Sequence, residues 1–214
     1  VTAVLGVDAA RGGWAGALVH DGAVTWLRLP DAAAVLAVDA EAVGIDLPVG
    51  LPDRGSRDCD LLAKRLLGRA HPRVFLAPPR GVLAAGTYEQ AGPLHRELTG
   101  GQGMSRQAWG LVARIREVDT LAGDERLVEV HPELSFAAMA GVVLPSKRTP
   151  GGRAARVAAA RRWLPVLTDP PPGHDALDAL AAAWSALRWL RGVARTLPAH
   201  PPRDALGRPM RIVT

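Results

Sequence analysis

The apolar positions of this chain fall into short strand-like runs and longer helical stretches. Residues 3–9, Ala-Val-Leu-Gly-Val-Asp-Ala, form a brief apolar run closed by Arg11-Gly12-Gly13, which predicts a buried strand. Runs at 15–19 and 23–29 flank His20-Asp21-Gly22, and Asp-Gly between two apolar runs is a hairpin signal. An opening three-strand antiparallel meander is expected. Pro30-Asp31 then starts an Ala-rich helix to about Val38, with Asp31 as its N-cap. Residues 42–47 predict a fourth strand, ended by Pro48. A strand that follows a helical crossover usually lies parallel to an earlier one, and the first strand is the natural neighbour.

The next strand signal is at 126–130. The region 50–125 between them reads as helices at about 53–68, 87–98 and 105–121. Three more helices are expected at about 133–140, 152–163 and 174–191, the last entered through a proline-rich connector at 168–173. A short edge strand is expected at 211–213, and no repeat of 20–50 residues is visible. Three antiparallel strands, helix, strand, helical region, strand and closing helix is the element order of a ribonuclease H-like α/β fold. That fold has a mixed five-stranded sheet flanked by helices. Here it would form one domain over 1–214, with a helical insertion at about 50–125 after the fourth strand. Other mixed α/β folds share this order, whereas a Rossmann fold needs strand–helix alternation from the start.

Composition narrows this picture modestly. The chain has 214 residues, 48 % of them hydrophobic, as in ordinary globular proteins. The single cysteine, Cys59, excludes an internal disulfide and a Cys-rich zinc cluster, and fits a reducing compartment. Aromatics are only 4 %, so the core must rest on Ala, Val and Leu, with Trp163, Trp184 and Trp189 expected inside it. A formal charge of +5 is compatible with a polyanionic partner. The first residues lack a basic leader pattern, and no run of 18 apolar residues occurs, so a cytoplasmic protein with no membrane partner is expected.

The candidate chemistry lies in the carboxylates. Asp8 and Asp46 each interrupt an apolar strand, where an ionised group must be paired, placed at a strand end or bound to a cation. On adjacent parallel strands both would lie at one C-terminal edge, where α/β folds place chemistry. Asp175 and Asp178, three apart, share a helix face, although acidic residues also suit helix N-termini for electrostatic reasons. Glu129, His131 and Glu133 add a third acidic strand end. Several carboxylates from separate segments are what hard divalent ions require. Glycine-loop nucleotide motifs, H-E-x-x-H and G-x-S-x-G are all absent. Gly100-Gly101-Gln102-Gly103 is either a plain turn or a phosphate loop before a helix. Arg153 and Arg156 share a helix face and read as a solvated basic stripe. Cys59 reads as structural.

Gly6-Val7-Asp8-Ala9 with Gly13-Trp14, Gly44-Ile45-Asp46-Leu47-Pro48-Val49-Gly50, Arg57-Asp58-Cys59-Asp60, Met104-Ser105-Arg106-Gln107, Glu129-Val130-His131-Pro132-Glu133, Lys147-Arg148 and His174-Asp175-Ala176-Leu177-Asp178 together resemble the DUF429 family. That family is described as predicted nucleases of ribonuclease H-like fold. The resemblance implies a metal-dependent nuclease using Mg²⁺ or Mn²⁺, with nucleic acid as partner and DNA or RNA left open. It makes Asp8 and Asp46 metal ligands on adjacent strands, and Asp175 or Asp178 the closing-helix ligand, similar to Holliday-junction resolvases of this superfamily. Glu129 joins the expected catalytic set, and Glu129 and Glu133 the expected ligand set. Arg11, Arg57, Ser105, Gln107, His131, Lys147 and Arg148 are the expected substrate-binding residues. The region 50–125 is expected to wall the active edge. A small-molecule phosphoryl-transfer enzyme on the same fold and a non-catalytic nucleic-acid-binding module are the alternatives.

Overall fold

The computed structural model describes residues 2–167 and 171–214, so the connector expected at 168–173 falls partly outside the described residues. Strands β1 (Ala3–Ala10), β2 (Gly13–His20) and β3 (Ala23–Leu29) form the expected antiparallel meander. The β2–β3 turn is tight because Asp21 and Gly22 both take positive φ, 49° and 76°, which matches the right-handed twist of the flanking strands. Helix α1 (Ala32–Leu36) follows, and Asp31 caps it by accepting from the Ala34 amide at 2.8 Å. Strand β4 (Ala42–Ile45) pairs parallel with β1, and β5 (Leu127–Glu129) pairs parallel with β4. The sheet order is β3-β2-β1-β4-β5. That mixed five-stranded arrangement, with its crossovers helical, is the ribonuclease H-like fold expected from the element order.

The chain divides into two compact units. The first comprises Val1–Leu47, Asp124–Arg195 and Val213–Thr214, and so holds the whole five-stranded sheet. It also holds α5 (Pro132–Ala140), α6 (Pro150–Trp163) and α7 (His174–Leu190). Its core is Val4, Ala17, Val19, Ala42, Val128 and Val130 on one sheet face, packed against Ala179, Leu180, Ala182, Ala183 and Ala186 of α7. Alanine and glycine set this interface. A Cβ added at Gly6 would strike the Ala179 carbonyl and the Ala183 amide, and one at Gly44 would strike the Ala182 carbonyl. The helix backbone therefore rests directly on β1 and β4 at these two positions. Trp163 and Trp189 pack against this core, as expected, whereas Trp184 is half-buried with the Arg188 guanidinium 4.7 Å over its ring.

The second unit, Pro48–Gly123 with Thr196–Ile212, holds α2 (Asp58–Leu67), α3 (Tyr88–Thr99) and α4 (Arg106–Leu121). Helix α2 starts later than the expected residue 53 because Gly55 turns the chain at φ 70°. Two 3₁₀ turns, at Gly68–Arg73 and Arg80–Ala84, carry no apolar period and went unread in the sequence. Charged pairs tie the unit together: Arg80 bridges Asp119 and Asp204, and Arg208 bonds Asp119 at 2.5 Å. Strands β6 (Thr196–Leu197) and β7 (Ile212–Val213) form a second, two-stranded sheet; β7 matches the expected edge strand and β6 was not expected.

Candidate active site

Register fixes where the strand carboxylates lie. Val7 is paired with Ile45, and the Asp46 amide bonds the Val7 carbonyl at 3.1 Å, so Asp8 and Asp46 are opposite one another at the C-terminal ends of β1 and β4. Side chains alternate along a strand, so Asp8 shares a face with Gly6, and Asp46 with Gly44. That face is the one covered by α7. Ala179 and Ala183 lie over Gly6, and Ala182 lies over Gly44. One helical turn back toward the N-terminus of α7 brings Asp175 to the line of Asp8 and Asp178 to the line of Asp46. Four carboxylates from three elements thus gather at one sheet edge.

The electrostatics of this gathering are unfavourable to charge. Burial, then the neighbouring Asp46 and Asp178, push the Asp8 carboxyl well above the usual range, and Lys147 only partly opposes them. Burial and Asp178 do the same to Asp46. Asp178, 2 % exposed, is raised by burial against the pull of Lys147. The Lys147 ammonium donates to Asp178 Oδ2. Burial pulls Lys147 down, but Asp178, Asp8 and Asp46 outweigh it and hold the ammonium protonated above its usual range.

Lys147 is placed by a buried clamp. Arg156, fully buried, donates from one guanidinium nitrogen to both Glu133 oxygens at 2.7 and 2.8 Å, and from another to the Pro145 carbonyl at 2.7 Å and the Gly152 carbonyl at 2.8 Å. This joins α5, α6 and the loop two residues before Lys147. Gly152 completes the loop's seat, since a Cβ there would strike the Ser146 carbonyl.

Two sequence expectations are corrected here. Glu133, expected as a metal ligand, has both oxygens chelated by Arg156. Arg156, expected on a solvated stripe, is a core residue paired within the fold. Glu129 is paired in register with Ile45, so it lies on the sheet face opposite Asp8 and Asp46, although its charge still acts on Asp46. It belongs to the same strand end but not to the same cluster, because register decides the face and apolar spacing does not.

The expected substrate-binding residues divide between the two units. Arg11 is exposed in the β1–β2 turn, Arg148 is exposed next to Lys147, and His131 is the half-buried N-cap position of α5. Arg57, Ser105 and Gln107 lie in the second unit. Ser105 caps α4 by accepting from the Ala108 amide at 3.0 Å, and Gln107 is exposed in the first turn of α4. Arg57 is corrected outright: it is 2 % exposed and bonds Asp60 at 2.5 and 3.1 Å and the Gly50 carbonyl at 2.9 Å, which commits its fork to the fold. What sequence reasoning missed is the role of Gly6 and Gly44 in seating α7 on the sheet. Their signal was present, a glycine two positions before each strand aspartate in an otherwise apolar run.

The donor set suits a hard divalent cation in kind. It offers carboxylate oxygens only, and Asp178 Oδ1 is a buried acceptor with no hydrogen-bond partner. Among the described residues, however, no three His, Cys, Asp or Glu side chains already converge as a metal cage. The ammonium of Lys147 supplies the positive charge within the cluster. Among the described residues, no helix is long and apolar enough to cross a membrane.

Comparison with known proteins gives a family and a distant likeness. No curated protein matches the chain. A solved structure, that of Thermus thermophilus RuvC, is similar at 16 % identity, with 90 % of this chain and 98 % of that chain covered and a TM-score of 0.36. The model of the family described as "Protein of unknown function (DUF429)" matches residues 6–203, and the chain belongs to that family.

Proposed function

We propose that this protein is a metal-dependent nuclease that hydrolyses phosphodiester bonds at the C-terminal edge of β1 and β4. The observation that carries the reading is the gathering of Asp8, Asp46, Asp175 and Asp178 at one sheet edge, with two of the four held on the strands and two on α7. A fold alone does not fix a function, so the weight rests on this cluster. Carboxylates pushed above their usual protonation range by burial and by one another, in one cluster with the Lys147 ammonium, are typical of working sites more than of structural ones. Asp8, Asp46 and Asp178 would hold Mg²⁺ or Mn²⁺, which when bound supplies Lewis-acid activation of water and stabilises the leaving oxygen. Asp175, in the first turn of α7, is the fourth carboxylate of the cluster. Lys147 neutralises Asp178 and orients it, and Arg11 and Arg148, both exposed in this unit, supply forks for flanking phosphates.

The test is a panel of labelled single- and double-stranded DNA and RNA oligonucleotides, incubated with Mg²⁺, Mn²⁺ or EDTA beside Asp8→Ala and Asp46→Ala. Cleavage that needs the cation and falls by orders of magnitude in both variants is expected. Cleavage that survives EDTA or either variant would overturn the reading. One observation favours a second reading, a nucleic-acid-binding module. Lys147 already satisfies part of the acidic cluster without any added cation. Tight, salt-sensitive binding with no cleavage on any substrate would support that module instead.

A further inference from the structure

We infer that Arg28 is a phosphate-binding residue that fixes how a nucleic acid strand crosses the carboxylate edge. The inference rests on the nuclease reading and adds a contact to it. Asp8 is paired with Ala15, and Ala15 with Arg28. Paired residues in an antiparallel ladder share a face, so Arg28 projects from the same face as Asp8 and in the same transverse row. On the other side of Asp8 the next position is Asp46, one residue past the end of β4, whose amide bonds the Val7 carbonyl. The row therefore reads Arg28, Ala15 and Asp8 across β3, β2 and β1, with Asp46 beyond Asp8 at the end of β4. At about 4.8 Å per strand spacing, the Arg28 and Asp8 backbones are roughly 10 Å apart. Among the described residues Arg28 makes no ion pair across that gap, and one polyanionic backbone spans it easily.

Direction adds to this. Strands β1, β3 and β4 all run the same way, so Arg28, at the C-terminal end of β3, lies at the same sheet edge as the two aspartates. The remaining face-sharing positions of β3, Val24 and Trp26, pack against the core, and the row changes character only at Arg28. Arg28 is exposed, and no hydrogen bond or ion pair engages it among the described residues. An arginine kept for the fold would be engaged, as Arg57 and Arg156 are. A guanidinium held free, one row from a carboxylate cluster, suits a phosphate next to the scissile one. The strand would then cross β1 and β2 toward β3, transverse to the strands.

The experiment measures equilibrium binding of fluorescent single-stranded DNA, duplex DNA and single-stranded RNA in EDTA, titrated with NaCl. The proteins are wild type, Arg28→Ala, Arg28→Lys and Arg191→Ala. Arg191 is an exposed arginine at the C-cap of α7, the end away from the aspartates. Loss of one phosphate contact should flatten the log K against log salt slope by about 0.7 for a single strand or 0.9 for a duplex. Arg28→Ala is expected to show that flattening, while Arg28→Lys and Arg191→Ala keep the wild-type slope. With a cleaved substrate, Arg28→Ala should raise KM and leave kcat unchanged. A wild-type slope in Arg28→Ala would overturn the assignment of Arg28 while leaving the nuclease reading intact. If wild type binds none of the three probes, the nuclease reading falls and this inference with it.

Discussion

Asp8 and Asp46 are held where their charge is disfavoured, and this has a signed consequence for stability. Their folded-state pKa values lie above those of the unfolded chain. Their contribution to stability is therefore fully present below the ordinary carboxylate range, near pH 4, and is lost as pH rises through the elevated folded values, opposite in sign to that of Asp124 and Asp204, whose carboxyls are held below it. Removing one charge removes part of the penalty. In metal-free buffer at pH 7, Asp8→Asn is expected to be more stable than wild type, and the gap should close below about pH 4. Urea unfolding across pH measures it, and a variant less stable at every pH would refute the crowding argument. The Glu133–Arg156 pair behaves oppositely. Each group is buried with its partner, so cutting either one strands a charge, and Arg156→Ala should lose about 3–5 kcal/mol. A double replacement by apolar residues should recover much of that loss. The sequence showed Asp8 and Asp46 clearly, because a carboxylate inside an apolar run is conspicuous. It could not show that Arg156 is buried, because helical spacing marks a face without saying whether a charged partner waits there.

At the scale of elements, the site exists because α7 can reach the sheet. Its alanines meet Gly6 and Gly44 backbone to backbone, and this depth delivers Asp175 and Asp178 to the strand aspartates. Gly6→Ala or Gly44→Ala should push the helix away. Overpacking costs about 1–3 kcal/mol, and the upper end is expected because the atoms met are backbone and cannot rotate aside. Gly16→Ala on the opposite face meets only side-chain carbons, the nearest at 3.1 Å, and should cost less. A shift in the urea midpoint at constant slope would check the ranking. Strand and helix order was legible because apolar runs and periods encode it. Register was not: Glu129 looked like a site residue from its place in β5, yet pairing with Ile45 turns it to the other face. The 3₁₀ turns around Pro72 and at Arg80–Ala84 were also illegible, since the first buries no residue and the second is too short for Val82 and Leu83 to set a period.

For the whole molecule, the acidic cluster links global stability to cation binding. A net charge of +5 coexists with carboxylates that lack enough positive charge of their own, and among the described residues Lys147 bonds Asp178 alone of the cluster. A divalent ion that binds only the folded state must raise its stability. At a hundred times the dissociation constant the gain is about 2.7 kcal/mol. For a chain of this size that is roughly 5–10 °C in Tm. Mn²⁺ is therefore expected to raise the Tm of wild type and to have little effect on Asp8→Asn or Asp46→Asn. Lys147→Met sharpens the test. Without the ammonium the metal-free protein should melt lower, because three carboxylates then face one another with their main counter-charge gone. The Mn²⁺-induced shift should grow beyond that of wild type, because the ion no longer competes with a lysine for Asp178. Equal shifts in wild type, Asp8→Asn and Lys147→Met would mean that Mn²⁺ binds elsewhere on the protein, and the carboxylate edge would then have to work without it.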